Sequence, residues 1–483
     1  MVASPSRIEA LAAVQRDAPD VLISQDMDLV RRRSTDRSAL LGPLMAVETS
    51  GAVADAVAAP VDEEQVIALL AACARHGVPV VPRGAGTSNF GQTIPLDGGI
   101  VVDLSALTGV LAVTPGSVRC RAGTMLPDID EALAPHGTEL RIHPSSKRMS
   151  TAAGFVIGGH GGIGSIRYGG LADLGNVMGL RVITAETTPR VIELRGEDTS
   201  LVQFSFGMSG VVTEVEFATT TAWEWRDVMI VFDSLGDAMR FGVELTVNDG
   251  LDVKNCMMMN PSMAAHLTPL SEFLPDGHAA ALCMVAPHAL EGVADMAAHH
   301  GGRVTMDMRT GDGPRGFPGY EYTWGHAMWW LRKQQSTLAE VLFLLPEHDP
   351  VGALDTLVAG VEGDAWVSST CQRIGGHAAP QVAFGIDGSV PGQLAKVSAA
   401  AEALGCLVVN IHRPKLTSAS IRGFGPRQRA FKADVDPHGI MNPGHLEDEI
   451  PSEPSPGDGS ASGADALEAS GWATRFQRDA THR

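Results

Sequence analysis

The sequence predicts an α+β protein of at least two domains, and three observations support this prediction. The chain has 483 residues, of which 44% are hydrophobic and 19% are charged, as in ordinary globular proteins with ample core. From about residue 51 to 221, short β-rich segments alternate with glycine-rich turns. From about 222 to 430, helical and strand patterns mix, and aromatic residues and methionine become more frequent. A second α+β domain therefore follows the first.

The elements of the first domain follow in chain order. The segment DEEQVIALLAACARHGV predicts an amphipathic helix, because Val66, Leu69, Leu70 and Cys73 recur at helical spacing. PVVPRG follows as a short buried strand that ends in a loop. Further strands are predicted for GGIVVDLS, GSVRCRAG, LRVITAE, PRVIEL and GVVTEVEFAT. Residues 1 to about 50 show mixed patterns, and the segment from 449 to 483, rich in Ser, Gly, Pro and acids, predicts a disordered tail.

Charge and cysteine content exclude several classes of protein. A net charge of −20 argues against nucleic acid or an anionic membrane surface as the main partner, because both bind to basic faces. No apolar run reaches the roughly 18 residues of a membrane span, and the N-terminus lacks the apolar core of a secretory signal. The six cysteines form no C-x-x-C pair. We therefore expect a cytoplasmic protein without a disulfide framework.

A glycine motif raises the question of dinucleotide binding. The residues from Gly159 to Gly164 satisfy G-x-G-x-x-G, and Glu186 follows about 20 residues later, as in a Rossmann fingerprint. That motif must follow a buried strand and open a helix. Here the upstream apolar run is short and is interrupted by Gly154, and further glycines stand where the helix should run. The sequence therefore argues against a Rossmann turn.

A second glycine-rich loop, PVVPRGAGTSNFGQ from Pro79 to Gln92, suggests another explanation. Its glycines let backbone N–H groups approach a phosphate closely. The hydroxyls of Thr87 and Ser88 can add hydrogen-bond donors. Two such loops about 70 residues apart, separated by strands, indicate one long cofactor bound from both sides.

Four blocks of the sequence resemble the vanillyl-alcohol oxidase / p-cresol methylhydroxylase (PCMH) superfamily of FAD-binding oxidoreductases. VPRGAGTSNFGQ is similar to its flavin diphosphate loop, and MSTAAGFVIGGHGGIGSIRYGGLADLGNVMGLRVITAE to its second flavin segment. FGMSGVVTEVEF is similar to the end of its FAD domain, and VDPHGIMNPG to its C-terminal return. The blocks occur in the family's order over roughly Ala46 to Glu447, and the FAD domain is nearest the glycolate/D-lactate dehydrogenase branch.

The resemblance implies a domain organisation. A PCMH-type FAD-binding domain of two α+β subdomains would hold the cofactor between them, and an α+β cap domain would cover the flavin ring. The expected divisions are an N-terminal segment 1–45, the FAD-binding domain 46–221, the cap or substrate domain 222–430, the C-terminal return to the flavin 431–448 and the tail 449–483.

The resemblance also assigns cofactor contacts. The first loop would surround the diphosphate and, at its end, approach the ribityl chain or ring: Pro82, Arg83, Gly84, Ala85, Gly86, Thr87, Ser88, Asn89 and Gln92. The second segment would line the flavin through Pro144, Ser145, Ser150, Thr151, Gly154, Gly159, Gly161 and Gly162. Gly210 and Val212 would approach the adenine through backbone atoms, and Asn442 would reach the ring.

The mode of flavin attachment can be predicted from one departure. Relatives whose flavin is attached near the N-terminus carry histidine at the position of Thr87, and threonine cannot form that bond. We therefore expect non-covalent FAD. Attachment to a residue of the cap domain stays open.

The reaction class implied by the cofactor calls for a base and a cation. Oxidised flavin accepts a hydride equivalent, a base takes the substrate's hydroxyl proton, and arginine binds a carboxylate with two parallel hydrogen bonds. His412, after the strand-like run CLVVN, lies where hydroxy-acid relatives carry a His-Gly motif and is the first candidate for the base, with Arg413 beside it. His377 and Arg373 are the alternative pair. Asn410 and Lys415 lie in the same late segment as His412. A cluster in YEYTWGHAMWW, whose aromatic residues are more often core or pocket wall than chemistry, adds Tyr320, Tyr322, Trp324 and His326.

A second departure concerns metal and substrate. Many 2-hydroxy-acid relatives carry Gly-His-x-Gly-Asp-Gly-Asn-x-His, thought to place a divalent metal near the substrate. The corresponding GGHAAPQVAFG keeps His377 but lacks the acid, the Asn and the second His. Because a metal site usually needs three or more protein ligands, the sequence predicts no metal and argues against glycolate or D-lactate as the substrate.

Together these features predict an FAD-dependent oxidoreductase, either an oxidase or a dehydrogenase. It would remove a hydride equivalent from an alcohol, hydroxy acid or phenolic small molecule to flavin N5. The alternative is a flavin-fold binding or assembly subunit without redox turnover. The electron acceptor stays open between O2, a quinone and a protein, as does the oligomeric state.

Overall fold

The computed structural model describes residues 5–38, 45, 48–159, 161–409, 414–416 and 424–447. The described residues divide into two compact units. The first contains those up to 159, residues 171–222 and those from 414 to 447, and the second contains 161–170 and 223–409. The predicted tail 449–483 lies outside the described residues.

The first sheet of the first unit has four strands, in the order Leu22–Ser24, Ala56–Ala59, Ile100–Asp103 and Val80–Arg83. The last three are parallel and the first is antiparallel to its neighbour. One face packs against Pro5–Asp17 and Glu63–His76, and the other against Val30 of the helix Met27–Arg33. Helices on both faces explain why these short strands are almost continuously apolar.

The helix Glu63–His76 shows how the sequence specifies its own ends. Asp62 caps it by accepting a hydrogen bond from the Gln65 backbone N–H at 2.8 Å, and Gly77 ends it with φ +62°. The predicted apolar stripe, Val66, Leu69, Leu70 and Cys73, is fully buried. The helix predicted from this periodicity is therefore confirmed.

The second sheet of the first unit is antiparallel. Its order is Val110–Thr114, Ser117–Arg121, Val211–Thr221, Val177–Ile183 and Val191–Arg195, and Thr138–Leu140 pairs with the end of Val211–Thr221. All six strand segments predicted from the sequence in this unit form strands. The remaining helices are Leu126–Leu133, Ala152–Gly158 and Pro426–Val435, with 3-10 turns at Leu104–Ala106, Ala134–His136, Lys147–Met149 and Gly196–Leu201.

The second unit is built on an eight-stranded antiparallel sheet. Its order is Arg303–Arg309, Arg226–Phe232, Ala279–Val285, Val253–Met259, Trp366–Thr370, Gln381–Asp387, Leu338–Leu344 and Leu407–Val409. One face forms a core with the helices Leu235–Val247, Leu290–His299, Pro350–Ala359 and Gln393–Ala403. Other short elements are Ser165–Tyr168, Pro261–Ala264, Thr268–Phe273, Pro287–Ala289, Pro314–Gly316, Gly319–Tyr322, Gly325–Arg332 and the hairpin Arg373–Ile374 with His377–Ala378.

The glycine motif is not a Rossmann turn. The helix Ala152–Gly158 precedes it, where a Rossmann fingerprint requires a strand, and only the four-residue helix Ser165–Tyr168 follows. The carboxylate of Glu186 accepts hydrogen bonds from Thr184 at 2.5 Å and from Arg190 at 2.7 Å. The elements around the motif confirm that the strand–turn–helix context fails.

Two further findings concern membrane-spanning helices and the state of the cysteines. Among the described helices, none has the length and apolar character that crossing a bilayer requires. All six cysteines are buried and carry free thiols.

Candidate cofactor site and catalytic residues

The first candidate loop begins where the strand Val80–Arg83 ends. The C-terminal return pairs with the start of this strand: Val80 N–H donates to Ile440 O, and Asn442 N–H donates to Val80 O, each at 2.8 Å. Residues separated by about 360 positions are thereby fixed side by side. Residues 84–90 of the loop are partly exposed, whereas Gly91 and Gln92 are buried.

Two glycines of this loop have no room for a side chain. Gly86 has φ +71°, and a Cβ built on it would overlap the Arg83 guanidinium. A Cβ on Gly84 would overlap Thr151 Oγ1. The loop therefore lies directly against Arg83 on one side and against the second flavin segment on the other.

The second segment contributes a group of hydroxyls. Thr87 Oγ1 lies 3.3 Å from Ser150 Oγ, which in turn lies 2.9 Å from Ser146 Oγ. Thr151 Oγ1 is buried and has no hydrogen-bond partner among the described residues. Pro144 and Ser145 are partly exposed beside this group, and Gly154 is exposed. The structure thus brings the predicted residues of the two loops together.

Gln92 and Asn442 join the end of the loop to the C-terminal return. Gln92 Nε2 donates to Gly158 O at 2.9 Å, and the Ser88 hydroxyl contacts Gln92 Oε1. Asn442 Nδ2 donates to Gln92 O at 2.8 Å and to Phe206 O at 2.5 Å. Asn442 has φ +42°, and its Oδ1 is buried without a partner among the described residues. Asn442 thus combines a positive φ, uncommon for a residue other than glycine, with a buried amide oxygen that has no hydrogen-bond partner among the described residues.

The predicted adenine contacts lie in the second sheet of the same unit. Gly210 has φ +81°, and a Cβ on it would lie 2.8 Å from Ile183 O. Val212 pairs with Val182 in the antiparallel ladder. Nearby in sequence, Ser205 Oγ and Ser209 Oγ are buried without partners in the described part of the chain. A side chain thus has no room at Gly210, and the adenine contacts of Gly210 and Val212 stay a prediction.

These features fit FAD. A diphosphate needs hydrogen-bond donors, and within the described residues the N–H groups of Ala85 to Ser88 have no acceptor. Unpaired buried polar atoms are costly, so several in one region indicate groups that a ligand satisfies. Among the described residues, buried atoms without partners in this region include Arg83 Nε, Thr151 Oγ1, Ser205 Oγ, Ser209 Oγ and Asn442 Oδ1.

The last three of the predicted glycines of the second segment, Gly159, Gly161 and Gly162, belong to different units. Gly159 N–H donates to Phe155 O at 2.7 Å and ends the helix Ala152–Gly158 in the first unit. Gly161 and Gly162 pack in the second unit, where Gly162 N–H donates to Ser165 Oγ at 3.0 Å. A Cβ on Gly161 would lie 3.3 Å from the Trp324 ring.

The catalytic candidates of the second unit lie on a short hairpin. Arg373 Nε donates to Thr246 O at 2.6 Å, and its Nη1 lies 2.7 Å from Asp249 Oδ1. The His377 side chain is 53% exposed, with Nδ1 3.5 Å from Glu347 Oε1. Both side chains thus have partners within this unit. His412 and Arg413, like Asn410, lie outside the described residues, so the first catalytic pair stays a prediction.

Sequence reasoning missed a polar cluster around Trp324. The indole Nε1 donates to Asn255 Oδ1 at 3.1 Å, and Asn255 Nδ2 donates to Thr323 Oγ1 at 3.3 Å. Trp324 itself has φ +55°, a conformation rare for a bulky residue. Asn255 lies about 70 positions away on a strand with no recognisable motif, so only the fold brings these groups together.

Two buried carboxyl groups of the second unit were also missed. Burial raises the pKa of Asp227 to about 6, although hydrogen bonds from the Gly319 N–H and the Thr310 hydroxyl act to lower it. Burial raises the pKa of Glu340 to about 7, although the Arg332 charge opposes the shift. No group of three or more His, Cys, Asp or Glu side chains that could hold a metal occurs among the described residues.

Comparisons with known proteins agree with this geometry. Residues 54–192 match the family model described as an FAD binding domain. The glycolate oxidase subunit GlcD of Bacillus subtilis is 32% identical over 169 residues, which cover 33% of this chain and 36% of that protein. The D-lactate dehydrogenase of Archaeoglobus fulgidus is 28% identical over 200 residues, 39% of this chain and 44% of that protein. The matched region thus spans less than half the length of these relatives.

A solved structure extends the likeness in fold to most of the chain. An alkyldihydroxyacetonephosphate synthase has a TM-score of 0.66 at 17% identity and covers 91% of this chain and 86% of its own. The predicted fold class, with a PCMH-type FAD domain and a second α+β unit, is confirmed. The resemblance to the FAD-linked oxidoreductases and FAD as the cofactor are confirmed as well.

Proposed function

We propose that this chain is an FAD-dependent oxidoreductase that removes a hydride equivalent from an alcohol, hydroxy acid or phenolic small molecule. The proposal rests on the two loops Gly84–Gln92 and Pro144–Gly159. Their hydrogen-bond donors, their glycines with no room for a Cβ, and the buried Thr151 hydroxyl, which has no partner among the described residues, fit FAD. The matched FAD binding domain, residues 54–192, contains both loops.

The chemistry is divided between cofactor and chain. FAD, when bound, accepts the hydride equivalent. The chain must supply a base for the substrate's hydroxyl proton and a cation for any carboxylate. We assign the base to His412 and the carboxylate contact to Arg413, with His377 and Arg373 as the alternative pair. Histidine suits the role of base because its pKa lies near neutral pH.

The names of the relatives narrow the substrate class. Proteins named glycolate oxidase and D-lactate dehydrogenase both act on small 2-hydroxy acids, which favours a hydroxy acid here. Because GGHAAPQVAFG lacks the acid, the Asn and the second His of the metal segment, we propose a hydroxy acid or alcohol other than glycolate and D-lactate.

We further propose that FAD is bound without a covalent bond, that no metal takes part and that the protein works in the cytoplasm. Acid or heat denaturation should then release yellow flavin into the supernatant. Colour that stays with the precipitated chain would reveal a covalent link to a residue other than Thr87. The electron acceptor stays open between O2, a quinone and a protein.

One experiment tests the proposal as a whole. The purified protein should show flavin absorption, and anaerobic addition of hydroxy acids, polyols and phenols should identify a substrate that bleaches it. Flavin that no member of a broad panel reduces would favour a binding or assembly subunit. A colourless chain that fails to take up added FAD would overturn the cofactor assignment.

A further inference from the structure

The segment Arg33–Ser38 is here called the strap. It lies beside the loop Gly84–Gln92 although it precedes the matched FAD binding domain, residues 54–192. It follows the helix Met27–Arg33, whose Val30 is buried against Val57, Val81 and Val101 of the first sheet. Residues 1–45 had no recognisable role in the sequence. The structure gives the described residues of this part of the chain, 5–38 and 45, a definite position.

The strap is anchored to the sheet at its beginning. Arg33 Nε lies 2.8 Å from Asp103 Oδ2 at the end of the strand Ile100–Asp103. Ser34 is buried, and its hydroxyl accepts a hydrogen bond from the Ala54 N–H at 3.0 Å. The first contact fixes the strap to the strand that runs beside Val80–Arg83, and the second fixes it to the residue two positions before the strand Ala56–Ala59.

From this anchor the strap contacts the loop at two backbone positions. Arg83 Nη1 donates to Thr35 O at 2.7 Å and to Thr93 Oγ1 at 3.2 Å. This guanidinium occupies the space where a Cβ of Gly86 would stand. Further along, Arg37 N–H donates to Ser88 O at 2.7 Å. The strap therefore holds both the arginine that supports Gly86 and the last residue of the GAGTS sequence.

A buried carboxyl completes the contact. Asp36 Oδ1 accepts from the Ser38 N–H at 2.8 Å, which closes a tight turn in the strap. The positive charge of Arg83 lies close enough to favour the ionised form of this carboxyl. Its second oxygen, Oδ2, is buried without a partner among the described residues.

We propose that the strap is part of the cofactor site and holds the loop Gly84–Ser88 in the conformation that receives FAD. A loop with two glycines in five residues loses much backbone entropy when it is ordered, and this loss weakens binding unless the free protein has already fixed the loop. The strap supplies that fixation. Affinity for FAD then depends on residues outside the FAD binding domain.

The inference rests on the proposed role of the loop, and it is tested on the full-length apoprotein with added FAD. The dissociation constant is measured by flavin fluorescence. Asp36→Ala should raise it at least tenfold, whereas Asp36→Asn, which keeps a side-chain acceptor, should change it less than threefold. The control Asp28→Ala removes an exposed carboxyl from the preceding helix and should have no effect. The apoprotein's melting temperature identifies variants that fail to fold.

Hydrogen exchange gives a second readout that requires no substitution. Saturating FAD should slow exchange at the Arg37 amide together with the loop amides. The strap assignment is overturned if Asp36→Ala binds FAD as the wild type does, or if exchange in the strap does not respond to FAD. If instead Gly86→Glu also leaves FAD binding unchanged, the loop assignment itself fails.

Discussion

The two units of this protein differ in how their functional groups are encoded. In the first unit, the candidate cofactor site is made mainly from consecutive residues, Gly84–Gln92 and Ser150–Gly159, whose glycines and hydroxyls form recognisable motifs. In the second unit, neighbouring strands come from distant positions: Met257 pairs with Thr370, and Leu342 pairs with Val409. A site that binds through backbone and short side chains can thus be found from sequence, whereas one assembled across a large antiparallel sheet requires the fold.

The largest effect should follow from filling the space at Gly86. Gly86→Glu places a carboxylate beside the predicted diphosphate and against Arg83. Two like charges about 4 Å apart repel by about 4 kcal/mol at an effective dielectric constant of about 20, roughly a thousandfold in affinity. We expect the purified variant to retain no FAD. The measurement is the flavin-to-protein absorbance ratio.

Gly116→Glu is the matched control for this variant. Gly116 also has positive φ, +91°, in the same unit, but a Cβ there meets no atom within 4 Å. It should keep the FAD content of the wild type and lose only some stability from backbone strain. Equal FAD content in a folded Gly86→Glu protein would contradict the loop assignment.

The second effect concerns the proposed base. His412→Ala should keep the yellow colour but slow anaerobic flavin reduction by about 10²- to 10⁴-fold, as expected for loss of a general base. His438→Ala, at an exposed histidine of the C-terminal return, is the control and should reduce at the wild-type rate. If His412→Ala also reduces at that rate and His377→Ala does not, the base comes from the second unit.

Particular residues show what the sequence could predict. The helix Glu63–His76 follows from apolar periodicity, a capping Asp and a terminal Gly, all within 16 consecutive residues. The prediction that the glycine motif is not a Rossmann turn is confirmed, because the elements that decide it directly flank the motif in sequence. The resemblance added Asn442, whose contact with Gln92 spans 350 positions and has no local signal of its own.

Other parts could not be read from the sequence, for physical reasons. The strap contacts the loop through the Thr35 carbonyl and the Arg37 N–H, and backbone groups leave no pattern of residue types. Glu340 lies in the apolar run LAEVLFL, and nothing in that run indicates whether the carboxyl faces solvent or is buried. The order of the eight strands in the folded sheet decides whether this carboxyl is buried.

The third effect is a pH dependence of stability in the second unit. Burial raises the pKa of Glu340 from its ordinary value of 4.5 to about 7. The folded state then binds more protons than the unfolded state between these pH values, so the free energy of unfolding falls as pH rises from about 4.5 to about 7. The shift corresponds to a loss of up to about 3 kcal/mol, which is complete above pH 7.

Glu340→Gln removes this titration. Urea unfolding at pH 5 and pH 8 should therefore show the variant gaining stability relative to the wild type as pH rises. Glu362→Gln, at an exposed carboxyl of the same unit, should show no such change. A pH-independent difference between Glu340→Gln and the wild type would mean that Glu340 is charged throughout, with Arg332 offsetting the cost of burial.

The smallest effect should come from Trp324, which tests whether the second unit contributes to substrate recognition. Its backbone conformation, φ +55°, costs on the order of 1–3 kcal/mol and persists because the surroundings fix it. The indole N–H is held by Asn255, which is itself held by Thr323. Because the ring is partly exposed and lies against Gly161, we expect it to form a wall of the substrate site.

Trp324→Leu should lower kcat/KM for flavin reduction roughly tenfold, the effect of losing one apolar contact, with FAD content unchanged. Trp329→Leu, at a partly buried tryptophan of the helix that follows, is the control. Equal kcat/KM in the wild type and both variants would restrict the ring's role to packing and leave substrate recognition to other residues.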